Sequence, residues 1–344
     1  MKRKEPDKVP KEISFGAFSP ALMDVYFQKT DSDIPPEEYF DFDTRSVRFH
    51  EPEAGNKYDK YFKGRTVERI KSWGTAVRSG SEYHFTQKVF PMEYITSVKE
   101  VDNYPFPDYL PEQVWSHIKK ETDKYHEEDY AVMGELECTI FEIAWDLRGF
   151  DRLLLDFAEN NSIAAALIEK ITDIRVFQAQ KLVQSGVDVL RLGDDVGMQT
   201  GMILSVEMWR KWLKPGLKIV IEKSKSINEN VLIFYHSDGN IEPIIPELID
   251  LGIDILNPVQ PECMDPVKLK KEYGSRLSFW GTIGTQQLMP FGSPENVKDE
   301  IKRMIDTVGK GGGLLLAPTH ILEPEVPWEN ILAFFEAVEF YGNY

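Results

Sequence analysis

The sequence predicts an α/β protein, a (β/α)8 TIM barrel with an irregular, aromatic-rich N-terminal extension. Three observations carry that prediction. From Tyr130 onward, apolar runs alternate with helical stretches six times, at the spacing of parallel βα units. The runs stop at polar residues, and a helix signal follows. No Gly-x-Gly-x-x-Gly follows any of them, which disfavours a dinucleotide site. An open doubly wound sheet is the alternative.

The elements follow in order. Strands are expected at 131–137, 187–192, 231–235, 253–259, 277–280 and 314–317. Helices are expected at 140–150, 152–185 with a break at Asn160-Asn161, 205–226, 241–251, 266–273, 294–308 and 328–341. Ser205 is placed to cap one of them, and Ser293 with Pro294 opens another. Gly252 and Gly274 stop two more. Gly311-Gly312-Gly313 precedes a strand, so it reads as a turn that ends a helix and not as a phosphate cradle. Residues 1–129 are the extension, packed on the barrel and contributing its first strand or strands; residues 130–344 are the main part of the barrel. The extension carries Tyr58, Tyr61, Phe62, Trp73 and Phe90, which suit either packing on the main domain or a substrate wall, since aromatic rings supply large rigid contact area.

The formal net charge of −17 argues against a nucleic-acid backbone or an anionic membrane as partner. Two cysteines, Cys138 and Cys263, are too few for a disulfide framework or a zinc finger. The start, Met1-Lys-Arg-Lys, is basic but no apolar segment follows it, and no run is long enough to span a membrane. The expected location is the cytoplasm.

In a βα architecture the C-terminal ends of the strands carry the chemistry. Here they deliver Glu137, Asp194 and Asp195, His236 and Asp238, Gln260, Thr282 and His320. Polar groups converging on one apolar mouth are costly unless they bind something. His236, Asp238 and His320 make a candidate three-ligand zinc set, because a catalytic zinc takes three protein ligands and keeps one position open. The alternative is that the histidines bind an anionic substrate or act as acid and base. Glu137, Asp194, Asp195 and Gln260 are candidate catalytic groups. Of the adjacent pair Asp194-Asp195 only one is expected to enter the mouth, and Asp195 also suits a turn before Gly197. Arg148 and Arg191 are candidates for pairing with these acids or with a substrate carboxylate.

The order of several motifs resembles the uroporphyrinogen decarboxylase superfamily: Leu147-Arg-Gly-Phe150, Gly193-Asp-Asp-Val-Gly-Met-Gln199, His236-Ser-Asp-Gly-Asn240 through Gly252, Asn257-Pro-Val-Gln260, Phe279-Trp-Gly-Thr-Ile-Gly-Thr-Gln286, and Gly311 to His320 followed by Pro327-Trp-Glu-Asn330. The resemblance covers roughly the last two-thirds of the chain. It implies an α/β barrel, and it places Arg148, Gln199, Thr282 and Gln286 with the substrate. Within the superfamily the motifs are closest to the corrinoid-dependent methyltransferases, which hold zinc by His-x-Cys and a later cysteine. Here His236 matches, Asp238 takes the second place and Pro318-Thr-His320 the last. The decarboxylase branch's Arg-Gln-Ala-Gly-Arg-Tyr segment does not occur in this sequence. The resemblance therefore implies methyl transfer between a small methylated substrate, a methoxy compound or a methylated amine, and a corrinoid. No Asp-x-His-x-x-Gly cobalamin motif occurs, so the corrinoid is expected on a partner protein. A uroporphyrinogen-type decarboxylase and a non-catalytic binding barrel are the alternatives. A homodimer is compatible with the sequence, which does not fix the oligomeric state.

Overall fold

Short runs rich in Val, Ile, Leu and Phe have no polar face to show to water, so they suit strands covered on both sides. In the computed structural model, which describes residues 4–13, 18–78 and 87–343, each of the six runs overlaps a strand, and the extension adds one. They are β1 (Thr44–Val47), β2 (Ala131–Glu135), β3 (Val189–Gly193), β4 (Leu232–His236), β5 (Ile255–Asn257), β6 (Ser278–Ile283) and β7 (Leu314–Pro318). Met1, Lys2 and Arg3 of the basic start lie outside the described residues.

All seven pair in parallel, and each pairs with its neighbour in sequence. A doubly wound sheet reverses its strand order at a switch point; this one never reverses, so the alternative falls. The two outer strands are linked by the segment Pro10–Glu12. On one side the Leu316 N–H donates to the Pro10 carbonyl (2.9 Å) and the Glu12 N–H to the Leu316 carbonyl (3.1 Å). On the other, the Asp43 N–H donates to the Lys11 carbonyl (3.1 Å). The expected count of eight is thus corrected to seven paired strands among the described residues, with a short bridging segment between the edges. That segment makes one parallel bridge, Lys11 to Leu316, because Pro10 has no N–H to extend the ladder.

Side chains on a strand alternate between faces. Two cores result. The larger lies between sheet and helices. The smaller lies inside the curl and consists of Met133, Val189, Phe234, Ile255, Trp280, Leu315 and Ala317. Phe234 and Trp280 meet there edge to face, with centroids 5.3 Å apart. Among the described residues no helix is long and apolar enough to cross a membrane.

The helix boundaries hold with two corrections. The stretch expected as one helix over 205–226 is two, Val206–Trp212 and Lys214–Lys225. Pro215 lacks the N–H that a continuous helix needs, so it sits in the first turn of the second. After Phe141–Arg148, Gly149 at φ +90 starts a new helix, Phe150–Ala158. Asn161 caps Ser162–Gln184 by accepting from the Ile163 N–H, at the break expected there.

The extension forms a small antiparallel sheet of 69–70, 76–78 and 87–89. It is pinned to the helix Phe141–Arg148. Thr75 donates to the Asp146 carbonyl (2.8 Å), and Lys88 pairs with the Asp146 carboxylate (2.6 Å). Arg148, expected among the substrate residues, is fully buried in this joint. Its Nε donates to Asp156 (2.7 Å), and its Nη1 donates to the carbonyls of Met92 (2.6 Å) and Ile95 (2.9 Å). Arg148→Ala should lower the stability measured by equilibrium urea unfolding by about 3 kcal/mol, because it empties a buried site, leaves Asp156 with only Arg152 and Asn161, and leaves two carbonyls without this donor.

Candidate metal centre and active site

The parity of the strands decides what reaches the mouth. Phe234 is inside, so His236 two residues on is inside too; Ile255 is inside, so Asn257 follows. In register, His236 lies between Gly193 on β3 and Asn257 on β5. Gly193 is required: a Cβ there would stand 2.5 Å from the His236 Cβ. Asn257 donates its Nδ2 to the Trp280 carbonyl (2.8 Å), which turns its Oδ1 toward His236 Nδ1 at 2.7 Å. The ring's Nδ1 is therefore the donor, and Nε2 faces the mouth.

Nε2 meets two carboxylates. It is 3.5 Å from Asp195 Oδ1 and 3.9 Å from Asp238 Oδ1. The Asp238 N–H donates to Asp195 Oδ1 (2.8 Å), which locks the two loops together. His320 Nε2 lies 3.7 Å from the other Asp238 oxygen. Each of Asp195, His236 and Asp238 offers one ligand atom, all within 4.8 Å of one another. So Asp238 is the centre of the group, with His236 and Asp195 on one side and His320 on the other. Burial disfavours a charged imidazole, but Asp195, Asp238, Glu137 and the bond to Asn257 outweigh it and raise His236 to about 9. Burial, with Asp195 beside it, pushes the Asp238 carboxyl up against the pull of His236. Asp238 Oδ1 is buried and has no hydrogen-bond donor among the described residues. A buried carboxylate oxygen without a donor, beside an imidazole and a second carboxylate, suits a divalent cation, and nitrogen with oxygen donors is within the ordinary range for zinc.

Asp194 and Asp195 point apart, as neighbours on a strand end should. Asp194 is buried and caps the helix Phe141–Arg148, accepting from the backbone N–H groups of Ile140 (3.0 and 2.9 Å) and Glu142 (3.1 Å). Burial raises it to about 6 against the pull of those amides. It positions a helix and does not enter the mouth. Glu142, in the first turn of that helix, accepts from the Asp195 N–H (3.2 Å). Burial, then Asp195 and Asp194, push its carboxyl up to about 8, so it carries a proton at neutral pH. Polar strand ends do not point to Glu142, which lies in the helix turn that follows one, whereas Asn257 is a polar residue at the end of β5 and carries that signal.

Glu137 accompanies Arg191, whose Nε is 2.6 Å from Glu137 Oε1 and whose Nη1 is 3.2 Å from Glu135 Oε1. Gln260 Oε1 accepts from the Gly239 N–H (2.7 Å) and holds the turn after Asp238. Cys263 Sγ lies 3.5 Å from the same oxygen. Thr282 is buried at φ +76, a region that disfavours a β-branched residue, and its hydroxyl has no hydrogen-bond partner among the described residues. Gln199 and Gln286 bond to each other (3.2 Å), and Gln199 to the Glu262 carbonyl (3.0 Å), which ties two surface loops together on the mouth side.

A cavity of about 840 Å³ lies between the extension and the barrel. Trp73, Ser72 and Glu51 line it from the extension, and Glu137, Cys138 and Arg175 from the barrel. A smaller cavity of about 270 Å³ meets it at Glu51, Glu137 and Arg175 and reaches Glu135 and Arg48. Arg175 is a wall and not a ligand-seeking cation: it donates to the carbonyls of Thr139 (2.9 Å) and Cys138 (2.9 Å) and to Gln178 (2.8 Å), with its guanidinium 5.2 Å from the Trp73 ring centroid. Trp73 and Ser72 thus place the extension along one wall of this cavity.

A singly wound parallel sheet whose polar mouth suits a metal defines the class, a barrel-type α/β protein with its chemistry at the strand ends. The chain belongs to the uroporphyrinogen decarboxylase (URO-D) family, whose model matches residues 74–341. Similar proteins include a methylcobamide:CoM methyltransferase, MtaA, of Methanosarcina barkeri, 24% identical over 62% of this chain and 59% of the other. A uroporphyrinogen decarboxylase of Rickettsia africae is 23% identical over 76% of this chain and 75% of the other. The chain spans less than two thirds of the length of the first curated relatives it matches, 59%, 39% and 52%. Among solved structures a methyltransferase from Methanosarcina mazei aligns with TM-score 0.68 and 20% identity, over 99% of this chain and 96% of that one. At that identity the likeness establishes the fold.

The raised His236 has a consequence for the metal-free protein. A histidine whose folded pKa lies above its unfolded value stabilises the fold fully below the unfolded value, and that contribution is lost as pH rises through the folded one. The window here runs from about 6.5 to about 9. Urea midpoints of chelator-treated protein should fall across it, and Asp195→Asn, which removes the carboxylate with the strongest pull on His236, should flatten the fall.

Proposed function

We propose that the chain is a methyltransferase that moves a methyl group between a small methylated substrate, a methoxy compound or a methylated amine, and a corrinoid carried by a partner protein. The observation that carries this reading is the His236–Asp195–Asp238 group, with His320 beside it, at the mouth of a URO-D family barrel. The similarity to a methylcobamide:CoM methyltransferase supports it.

His236, Asp238 and either Asp195 or His320 would hold zinc. A bound zinc ion supplies Lewis acidity that polarises the substrate's heteroatom. The remaining work belongs to the chain. His236 Nδ1 is fixed by Asn257, so Nε2 is aimed before any ligand arrives. Asp194 takes no part in the reaction and sets the helix that carries Glu142. When the methyl–heteroatom bond breaks, its electron pair stays on the departing atom, and the methyl group passes to the partner's reduced corrinoid. The departing atom needs a proton, and Glu142 holds one at neutral pH beside Asp195. The cavity beside Trp73, which Glu137 also lines, would confine the substrate.

The test pairs metal analysis of the purified protein with transfer from methoxylated and N-methylated donors to a reduced corrinoid protein. The expected result is about one zinc per chain, and a His236→Ala variant that loses both the metal and at least ~100-fold in kcat/KM, the scale at which a metal's polarising charge acts. A metal-free His236→Ala variant with full activity overturns the metal assignment, and turnover of uroporphyrinogen in place of methyl transfer overturns the reaction.

A further inference from the structure

The cavity between the extension and the barrel is far larger than a one-carbon donor needs. It measures about 840 Å³, and the smaller cavity of about 270 Å³ meets it at Glu51, Glu137 and Arg175. Cavities of about 300 to about 1,000 Å³ enclose ligands of drug size, whereas methanol or a methylamine would leave most of this space to water. The barrel side of the cavity lies next to the metal centre. Cys138 lines it, and Thr139, next in the chain, exchanges two hydrogen bonds with Gly193 (2.7 and 2.9 Å), the residue that flanks His236 in register. Ile143 lines it too, and its neighbour Glu142 accepts from the Asp195 N–H (3.2 Å).

The lining does not suit a cation. A buried ammonium needs a carboxylate that is not already paired. Among the described residues five carboxylates line the two cavities. Glu135 and Glu137 are committed to Arg191 (3.2 and 2.6 Å), and Asp146 to Lys88 (2.6 Å). Glu51 and Glu53 have no cationic partner among the described residues, but both are exposed. Four cations share the lining: Arg69 and Lys71 on the exposed extension, and Arg48 and Arg175 with Glu137 in the smaller cavity. A methylated amine, itself cationic, would meet more positive charge than free negative charge. Trp73 is the one aromatic side chain that lines the larger cavity among the described residues, and the Arg175 guanidinium already lies 5.2 Å from its ring centroid. No aromatic cage for a quaternary ammonium results. The walls are otherwise apolar, with Pro52, Ala54 and Ile70 from the extension and Ile143 from the barrel. Indole and guanidinium are both planar, so the wall they share suits a flat ring.

We propose that the methyl donor is a methoxylated aromatic compound, and neither methanol nor a methylated amine, with its ring in this cavity and its methoxy group toward His236. The assignment rests on the reading of the chain as a methyltransferase. In the transfer the methyl–oxygen bond breaks and its electron pair stays on the oxygen. The partner's reduced corrinoid supplies the pair for the new bond to the methyl group, and the oxygen takes a proton and leaves as a phenol. A phenol has a pKa of about 10, as tyrosine does, so the departing oxygen is a weaker base than that of methanol.

The test is isothermal titration calorimetry on the full chain as purified. Methoxybenzene is the ring-sized probe, methanol the one-carbon probe and tetramethylammonium the cationic one. Methoxybenzene should bind at least ~10-fold more tightly than either, because its ring buries more apolar surface. Ile143→Trp fills the cavity from the barrel wall and should weaken methoxybenzene at least ~10-fold, since a packed space does not take a second ring. Ile70→Trp fills it from the opposite wall and serves as the second variant, with far-UV circular dichroism reporting that each is folded. Equal affinity for methanol or tetramethylammonium, no binding of methoxybenzene, or unchanged methoxybenzene affinity in a folded variant overturns the proposal. Methyl transfer to a reduced corrinoid protein is measured separately. Methoxybenzene binding with no transfer from any donor refutes the reaction and leaves the ligand class of the cavity standing. Transfer from methanol or tetramethylammonium but not from methoxybenzene overturns the proposal and leaves the reaction standing.

Discussion

A strand side chain in this sheet points either into the curl or out against the helices, and the register allows nothing between. The site depends on that constraint. Because Met133, Val189, Phe234 and Ile255 fill the inside, the residues two further along each strand also face inward, where the apolar filling ends. They are Glu135, Arg191, His236 and Asn257. Side chains from four strands thus meet at one level, and each is held by neighbours already in place. His236 is the clearest case: a glycine on one flank makes room for it and an asparagine on the other fixes its ring.

The same constraint explains why charge is tolerated so deep. Arg191 has a phenylalanine ring 4.9 Å from its guanidinium, and acids on adjoining strands. Removing Arg191 would leave its acids without their cation in a low-dielectric layer, which costs more than the pair gains. The bridging segment joins the interior through Glu12, which accepts from Trp280 Nε1 (2.7 Å) and Thr44 Oγ1 (2.7 Å). The centre around His236 is built differently. Its acids, Asp195 and Asp238, lie on loops beyond the strands and are partly open, and one Asp238 oxygen is left without a donor. The inner acids Glu135 and Glu137 are paired with a protein cation, Arg191; among the described residues the outer acids Asp195 and Asp238 have only the histidines His236 and His320 as ion-pair partners.

Much of this was legible in the chain. Apolar runs that stop at polar residues gave six strands and their approximate ends, and Asn161, Ser205 and Ser293 gave helix starts, because these signals act within a few residues. Arg148 shows where such reading stops. An arginine at the end of a helix, in a motif typical of the family, looks like a substrate residue, yet Asp156 takes its Nε and the carbonyls of Met92 and Ile95 take its Nη1. Those partners lie on other elements, and no local pattern announces them. Asp194 and Asp195 divide in the same way: that only one enters the mouth follows from strand geometry, but that Asp194 is the one turned to cap a helix depends on where that helix starts.

The sequence alone determined the parallel βα order, the polar strand ends and their convergence on one mouth, since alternation and chain connectivity are local properties. Tertiary structure decided the rest. It chose Asp195 as the acid beside His236, brought Glu142 and Asn257 into the site, moved Arg148 out of it, and set Glu12 against Trp280, 268 positions away in the chain. Each of those outcomes depends on distances between strands and loops far apart in sequence, which only the packed register fixes.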